Sequence, residues 1–305
     1  MCWCKRRLNA IISGQPLPRQ HPPEATHCGR CSLSRSCEIL LCDVTLCGPG
    51  ITSEICIEMK NVKKRHTFWG RLWRIIFIGL PVTFIVVTLF WVTVLKWVPV
   101  WVTPLMVQRT VQHWNDSGFH THKTWVPYCE ISPEMARAVI ASEDNLFDTH
   151  KGFDWKQINK AIEDHEQKGR RLRGASTISQ QTAKNVFLLP SRSFVRKGLE
   201  AYFTVLIEFI WGKRRIMEVY LNVAEMGKGI YGAEAAAGQL FHKKALKLTR
   251  HEACLIAACL PNPLRRNAGN PSQYVLRRAS MIENLEMKLA YPDWIRHPSG
   301  SCGKH

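Results

Sequence analysis

Acidic residues are scarce in this 305-residue chain, and so are the alternating polar and apolar runs that mark β-strands. Asp and Glu together number 24 against 42 Lys and Arg, which gives a net charge of +18. This excess favours an anionic partner, such as nucleic acid, a phosphate ester or an anionic membrane face, and charge alone does not choose among them. The scarcity of strand patterns predicts a mainly α fold, and the lack of an internal repeat excludes a solenoid.

Cysteine is rare after residue 58, since eight of the 12 cysteines lie within residues 1–58. Cys28 and Cys31 have the two-residue gap of a zinc knuckle, but no second matching pair follows them. Two interpretations of this cysteine-rich leader stay open. It is a disordered leader, or Met59 is the true start and the leader is no part of the mature protein.

Charge is absent from residues 75–95, which read IIFIGLPVTFIVVTLFWVTVL. This length is about that needed to cross a hydrocarbon core of roughly 30 Å, so we predict one transmembrane helix. A buried core helix and a cleaved signal peptide are the alternatives, but the run is longer than a signal peptide requires. The preceding segment 59–74 is basic, and the positive-inside rule then places the N-terminus in the cytoplasm. Residues 96–124 are interpreted as a membrane-proximal stalk.

Helix patterns dominate residues 125–291, the predicted compact domain. The first helix is expected to begin at Pro133 with Ser132 as its N-cap. Further helices are predicted at 155–168, 193–211, 213–223, 231–241, 249–260 and 271–289, and a disordered tail at 292–305. Cys254 and Cys259 point to different faces of their helix, so no disulfide is expected between them.

The stretch RLRGASTISQQTAKN at 171–185 is too polar for an ordinary buried helix. Its hydroxyls and carboxamides, together with flanking basic residues, predict a segment that grips a polar anionic ligand. Glu143 and Asp144 lie at the end of the helix that begins at Pro133. A carboxylate there meets the negative end of the helix dipole and becomes a better proton acceptor near neutral pH, although such a pair is more often a solvated cap.

Five segments, in this order, resemble the motifs of the family 51 peptidoglycan glycosyltransferases over residues 127–263. They are EDNLFDTHKGFD, RGASTISQQTAKN, RKGLE, KRRIMEVYLNVAEMGKGIYGAEAAAGQLF and LTRHEACLIAACLPNP. The chain is most similar to the membrane-anchored monofunctional members. The resemblance implies a lysozyme-like helical catalytic domain with a membrane-associated lobe, outside the cytoplasm and anchored in the cytoplasmic (inner) membrane.

The implied reaction is polymerisation of lipid II by inverting transfer of the growing chain from undecaprenyl diphosphate to the 4-hydroxyl of the acceptor. Glu143 matches the base, and Glu200 matches a second essential carboxylate that holds a divalent cation (Mg²⁺ or Mn²⁺) or positions basic residues. The resemblance implies that substrate is bound by Lys184, Arg192, Ser176, Thr177, Gln180, Gln181, Asn185, Arg196 and Lys197. The implied partners are lipid II, the nascent glycan strand, membrane lipid and cell-wall synthesis complexes, and not nucleic acid.

Two further expectations concern the surroundings of this site. A basic loop formed by Lys168, Arg170, Arg171 and Arg173 is expected to move as substrate enters. The apolar triplet at 187–189 (Phe187, Leu188 and Leu189) is expected to enter the membrane interface. The alternative functions are a lytic muramidase of the same fold, an inactive membrane-tethered scaffold and a nucleic-acid-binding protein. The last lacks the interleaved aromatic residues of a stacking platform.

Overall fold

The computed structural model describes residues 68–116, 118–168, 176–191 and 193–296. The predictions for the cysteine-rich leader, for most of segment 59–74 and for the last part of the tail lie outside these residues. So do Arg192 and the loop residues Arg170, Arg171 and Arg173, and the side chain of Lys168 is not described either. Within the described residues helices dominate and strands are few and short, which confirms the mainly α fold.

The predicted helices are present in the predicted order, but the helices Pro104–Gln112, Ile178–Phe187 and Asp293–Arg296 were not predicted. The last of them lies within the predicted disordered tail, where Ile295 is fully buried. The helices are α1 (Leu80–Val94), α2 (Pro104–Gln112), α3 (Pro133–Glu143), α4 (Trp155–Lys168), α5 (Ile178–Phe187), α6 (Phe194–Ile210), α7 (Gly212–Val223), α8 (Ala233–Phe241), α9 (Arg250–Cys259), α10 (Gln273–Glu286) and α11 (Asp293–Arg296). The strands are β1 (His122–Lys123), β2 (Glu225–Gly227) and β3 (Ile230–Tyr231).

The predicted transmembrane segment is a continuous helix over Phe68–Val94, long and apolar enough to cross a membrane. Only 6% of its most apolar window is buried, unlike the core helix of a soluble domain. Pro81 has no N–H to donate, and its ring would clash with a carbonyl one turn earlier. The helix widens there, since the N–H of Leu80 bonds to the Ile75 carbonyl five residues back.

Hydrogen bonds fix the end of this helix to the rest of the fold. The Thr88 and Tyr202 hydroxyls, on α1 and α6, lie 2.7 Å apart. The Trp211 indole donates to the Val92 carbonyl at 2.8 Å. Arg215 donates to two carbonyls just beyond α1. Carbonyls at a helix end have no partner within the helix, so these donors satisfy them.

The membrane-proximal segment contributes to the same core. Val100 is 4% exposed and Met106 is 5% exposed. Thr103 begins α2, where its side chain accepts from the Met106 N–H at 3.3 Å. Helix α2 packs against α5, and this contact brings Arg109 to the polar stretch that the sequence singled out.

Helix α9 lies at the centre of the core, between α3 and α10. Its residues from Ala253 to Cys259 are all buried. Cys254 and Cys259 are free thiols, which confirms that no disulfide joins them. Small alanine side chains on α9 and α3 let these helices approach closely.

Helix α3 begins at Pro133 with Ser132 at the N-cap position, as predicted, but the Ser132 side chain does not cap the helix. The Ser132 hydroxyl donates to the Leu248 carbonyl at 2.9 Å and makes no capping bond. The Met135 N–H, which a capping side chain would accept, bonds instead to the Ser132 carbonyl at 3.0 Å. The hydroxyl is free to join α3 to the segment before α9.

The expectation that the polar stretch is not a buried helix is wrong from residue 178 onward. Helix α5 occupies Ile178–Phe187, and the polar residues Ser179 and Thr182 are fully buried. Ser179 bonds to the Glu208 carboxylate, and the Thr182 hydroxyl donates to the Ile178 carbonyl at 2.8 Å. Buried polar side chains are tolerated because each has a partner.

The apolar triplet at 187–189 is only partly exposed, so the alternative to membrane insertion, packing in the core, holds for two of its three side chains. Phe187 stacks on Phe203 at a centroid distance of 4.4 Å. Leu188 is 7% exposed, whereas Leu189 is 65% exposed. Two of the three side chains therefore belong to the core, between α5 and α6.

A three-stranded sheet in the order β1-β3-β2 was not predicted. Strand β3 runs parallel to β1 and antiparallel to β2, with Glu225 opposite Tyr231. Gly232 follows β3 at φ +84°, and a Cβ there would lie 2.7 Å from the Asn222 carbonyl oxygen. Only glycine fits this turn, which returns the chain into α8 and fixes Glu225 beside α2.

Candidate active site

The end of α3 meets the start of α5 through Asp144. This carboxylate is buried and accepts hydrogen bonds from the Ile178 N–H at 3.0 Å and from His150 Nε2 at 2.9 Å. A carboxylate at a helix N-terminus satisfies an unpaired N–H and the positive end of the dipole. Asp144 therefore holds the two helices together, and its neighbour Glu143 is held at the same junction.

Thr177 and Gln180 form a capping box at the start of α5. The Thr177 hydroxyl oxygen accepts from the Gln180 N–H at 3.2 Å, and the Gln180 side-chain carbonyl accepts from the Thr177 N–H at 3.0 Å. Both side chains are buried, and the Thr177 hydroxyl donates to the Gly152 carbonyl at 2.6 Å. This geometry gives both side chains a helix-capping role, and their predicted contact with substrate stays a prediction. Ser176 is exposed.

Glu143 is the half-buried carboxylate at this junction. Gln181 Nε2 donates to its Oε2 at 3.0 Å, and the Tyr220 hydroxyl donates to Gln181 Oε1 at 3.3 Å. Burial raises the pKa of Glu143, and the Asp144 charge adds to this effect. The Gln181 hydrogen bond and the charges of Lys184 and Arg278 act in the opposite direction. The result is an oriented carboxylate with a raised proton affinity.

Glu200 lies on α6 in different surroundings. It is 3% exposed, and its two oxygens contact Arg196, at 2.9 Å, and Lys197. This confirms the predicted pairing along one face of the helix. Lys184 on α5 is half-buried; burial lowers its pKa, while the Glu200 and Glu143 charges raise it.

Two concavities are lined by some of the predicted residues, whereas Ser176, Thr177, Gln180, Lys197 and Glu200 line neither. A cleft of about 520 Å³ is lined by Leu105, Arg109, Gln181, Lys184, Asn185, Leu188, Pro190, Ser191, Arg196, Tyr220, Ala224, Glu225, Leu260, Pro261, Asn262, Pro263 and Leu264. A second hollow of about 600 Å³ is lined by Glu143, Asp144, Gln157, Lys160 and others on α3 and α4. Since Gln181 lines the first and is bonded to Glu143 in the second, the carboxylate lies where the two meet. The arrangement suits transfer of a proton from a bound group to the Glu143 carboxylate.

Comparison with known proteins agrees with this arrangement. The transglycosylase family model matches residues 108–286. A protein from Bacteroides thetaiotaomicron is 55% identical over 208 residues, covering 68% of this chain and 84% of that protein. Proteins from Shigella boydii and Bdellovibrio bacteriovorus are 51% and 52% identical over 203 and 202 residues. These cover 65% and 66% of this chain, and 84% and 80% of the relatives. All three are named biosynthetic peptidoglycan transglycosylase.

The chain belongs to the transglycosylase family of peptidoglycan glycosyltransferases. The match confirms the resemblance drawn from the five motifs, and with it a monofunctional enzyme on a lysozyme-like helical fold. It spans Glu143, Glu200 and the cleft, and it begins at residue 108, within α2. In this transglycosylase, only the second half of α2, which includes Arg109, therefore lies in the matched region.

The residues around Glu200 do not form a metal site. Both of its oxygens are taken by protein cations, and the described ranges hold no cluster of three His, Cys, Asp or Glu residues suited to a metal ion. The positive charge at this part of the cleft is supplied by Arg196, Lys197 and Lys184.

Three residues of the site were not found from the sequence. Tyr220 orients Gln181, and Arg109 and Glu225 form an ion pair that lines the cleft. Tyr220 could have been found from the sequence, because it lies in the segment EVYLN within the fourth motif. Arg109 and Glu225 lie 116 residues apart in the chain, and only the packing of α2 beside β2 brings them together.

Proposed function

We propose that this transglycosylase polymerises lipid II into glycan strands, with Glu143 as the general base. The observation that carries the proposal is the position of Glu143: half-buried, raised in pKa and oriented by Gln181 where two concavities meet. A base with a pKa close to the working pH accepts a proton most effectively in the transition state. Its environment fits that requirement.

The reaction is an inverting displacement at C1 of the growing chain's reducing sugar. The acceptor's 4-hydroxyl oxygen forms a bond to C1 as the bond from C1 to the diphosphate oxygen breaks. The hydroxyl proton goes to the Glu143 carboxylate, and the electron pair of the broken bond leaves with undecaprenyl diphosphate. Holding both sugars in line removes much of the entropic barrier.

The negative charge that develops on the leaving diphosphate requires cations in fixed positions. Lys184 and Arg196 line the cleft, and Glu200 holds Arg196 and Lys197 in place. The family resemblance adds Arg192 to this set, and Asn185 lines the same cleft between Lys184 and Leu188. Substrate binding by Ser176, Thr177, Gln180, Gln181, Lys184, Asn185, Arg192, Arg196 and Lys197 is part of the proposal.

We also propose a single-pass topology in the cytoplasmic membrane, with the N-terminus inside and the catalytic domain outside. The support is the exposed apolar helix Phe68–Val94 and the basic residues that precede it. Lipid II carries its diphosphate at headgroup depth, so a catalytic domain fixed to the end of the anchor meets it there. Membrane lipid and other cell-wall synthesis proteins are the further partners of this proposal.

The test is polymerisation of lipid II by the detergent-solubilised full chain, followed by muramidase digestion. We expect glycan strands that muramidase degrades. No product under conditions that support a related enzyme would contradict the proposal and favour an inactive scaffold. Release of soluble muropeptides from purified sacculi, without lipid II, would favour a lytic muramidase.

A further inference from the structure

A second charged pair lines the cleft and has no role in the proposed chemistry. Arg109 on α2 lies with its Nε 3.5 Å from Glu225 Oε2 on β2. Glu225 is 9% exposed, and both residues line the cleft together with Lys184 and Tyr220. Glu225 is therefore nearly buried, whereas the Arg109 side chain is 26% exposed, and both border the space where substrate is expected.

The pair is incompletely satisfied. Glu225 Oε1 and Arg109 Nε are buried and make no close hydrogen bond within the part of the chain that the structure describes, although the Gly229 N–H also faces the Glu225 carboxylate. A buried polar atom without a partner loses the hydrogen bonds it makes to water in the unfolded chain. Such an acceptor and donor, side by side at a cleft, are suited to a ligand that offers one donor and one acceptor.

The remainder of the cleft wall narrows the chemistry of that ligand. Leu105, Leu260 and Leu264 line it, together with Pro261 and Pro263. A secondary amide presents an N–H and a carbonyl, which match a carboxylate and a guanidinium. When the amide carries a methyl group, as in an N-acetyl sugar, that methyl also gains an apolar surface to pack against.

We propose that Arg109 and Glu225 form a subsite for a secondary amide of the substrate. The amide N–H donates to Glu225 Oε1, the amide carbonyl accepts from the Arg109 guanidinium, and the apolar wall receives the attached methyl. This inference rests on the proposed function for the source of the amide, which is a 2-acetamido group of the glycan or a peptide bond of its stem. The apolar wall favours the acetamido group.

The competing explanation is that the pair only joins α2 to the small sheet. The chain offers a matched control in Asp116 and Lys228, an ion pair at 3.4 Å that joins the same two regions. Both of its side chains are well exposed, and neither residue lines the cleft. Replacing both members of each pair with amides removes the charges without leaving one buried charge alone, which protects the fold.

The experiment is saturation-transfer NMR on the full chain in detergent, comparing the parent with Arg109→Gln/Glu225→Gln and with Asp116→Asn/Lys228→Gln. The probes are a peptide-free tetrasaccharide of the glycan repeat, the free stem peptide and cellotetraose, which has hydroxyls but no amide. We expect saturation of the acetyl methyl protons in the parent and the control variant, and at least about fivefold weaker saturation in the cleft variant. Saturation of the stem peptide alone, lost in the same variant, would support the subsite and make the peptide its source.

Three results would overturn the subsite: equal saturation in the cleft variant, no binding of either amide probe to the parent, or equal binding of cellotetraose. Binding is measured without turnover, so these results do not depend on polymerase activity. With lipid II, we expect the cleft variant to raise KM about tenfold, with a smaller change in kcat. A parent that binds the tetrasaccharide but makes no polymer would contradict the proposed function and leave the subsite standing.

Discussion

Glu143 and Glu200 are both carboxylates near Lys184 with limited exposure to solvent. They differ in the charge of the side chains that contact them. Glu143 has a neutral hydrogen-bond partner, Gln181, and burial raises its pKa. Glu200 is more deeply buried and contacts two cations, Arg196 and Lys197. Among the described residues, Glu143 therefore has no cation in direct contact, whereas each oxygen of Glu200 makes an ion pair.

The difference assigns the two carboxylates to different parts of the reaction. Glu143 is suited to take a proton, and Glu200 is suited to position the cations that meet the diphosphate. Lys184 responds to both, because both carboxylates raise its pKa against the effect of burial. The comparison can be tested by neutralising each carboxylate in turn, since the two changes should act oppositely on stability.

Glu143→Gln should have the largest effect on rate. The amide keeps the size of the side chain but cannot accept the proton, so we expect kcat to fall about 10³-fold, within the usual range for a general base. The neutral amide also removes the cost of burying a charge on folding, so the melting temperature at pH 8 should stay equal or rise. Initial rates of lipid II polymerisation and thermal unfolding in detergent check the two expectations.

Glu200→Gln should lower stability where Glu143→Gln does not. Breaking a buried ion pair commonly costs ~3–5 kcal/mol, and we discount this to ~2 kcal/mol because the Lys197 side chain is 52% exposed. That corresponds to a fall of roughly 5 °C in melting temperature. KM should also rise, since Arg196 is no longer held. If both variants changed stability in the same direction, the contrast between the two carboxylates would be lost.

Much of the fold was predictable because helix boundaries carry local signals. Helix α4 was predicted with both ends correct, and α6 begins after Ser193, whose side chain accepts from the Arg196 N–H at 3.1 Å. The pairing of Glu200 was also readable, since residues three and four apart share a helix face. These features depend only on residues near one another in sequence.

The parts that were not predictable depend on contacts between distant segments. Helix α5 was missed because its buried face is polar, and its partners Asp144 and Glu208 come from other helices. Ser132 was assigned as a cap because the sequence does not reveal the Leu248 carbonyl. The Arg109 and Glu225 subsite has no local pattern at all. Sequence identified which residues are unusual, and packing decided what each of them contacts.

Gln181→Met should shift the pH dependence of the reaction. The Gln181 hydrogen bond favours charged Glu143, so its removal raises the pKa of Glu143 further. The base works when deprotonated, and the acid limb of kcat/KM should therefore move to higher pH. The loss of rate should be several-fold at pH 6 and smaller at pH 8.

Tyr220→Phe provides a graded comparison for that shift. It removes the hydroxyl that donates to Gln181 but leaves the carboxamide in place. We expect its acid limb to lie between those of the parent and Gln181→Met. Identical acid limbs in all three proteins would show that Gln181 does not set the proton affinity of the base.

The smallest effect on activity is expected from a substitution at Glu286. This residue tests whether a raised pKa by itself indicates a catalytic role. Burial and the neighbouring Glu134 raise the pKa of Glu286 to about 7, against the opposing effects of Cys254 and Arg250. This carboxyl lies in the core at the end of α10 and does not line the cleft. Its folded pKa exceeds the ordinary value of 4.5, so its contribution to stability is present at low pH and is lost as pH rises through about 7.

Glu286→Gln should therefore reduce the fall in melting temperature between pH 5 and pH 8, and leave the polymerisation rate and its pH profile unchanged. Glu283→Gln is the matched control, because Glu283 lies on the same helix but is more exposed and bonds to His251 at 2.7 Å. The control should retain the full pH dependence of stability. A shifted pH–rate profile in Glu286→Gln would show that this core carboxyl affects the reaction. The pH dependence of the rate would then depend on Glu286 as well as on Glu143 and Glu200.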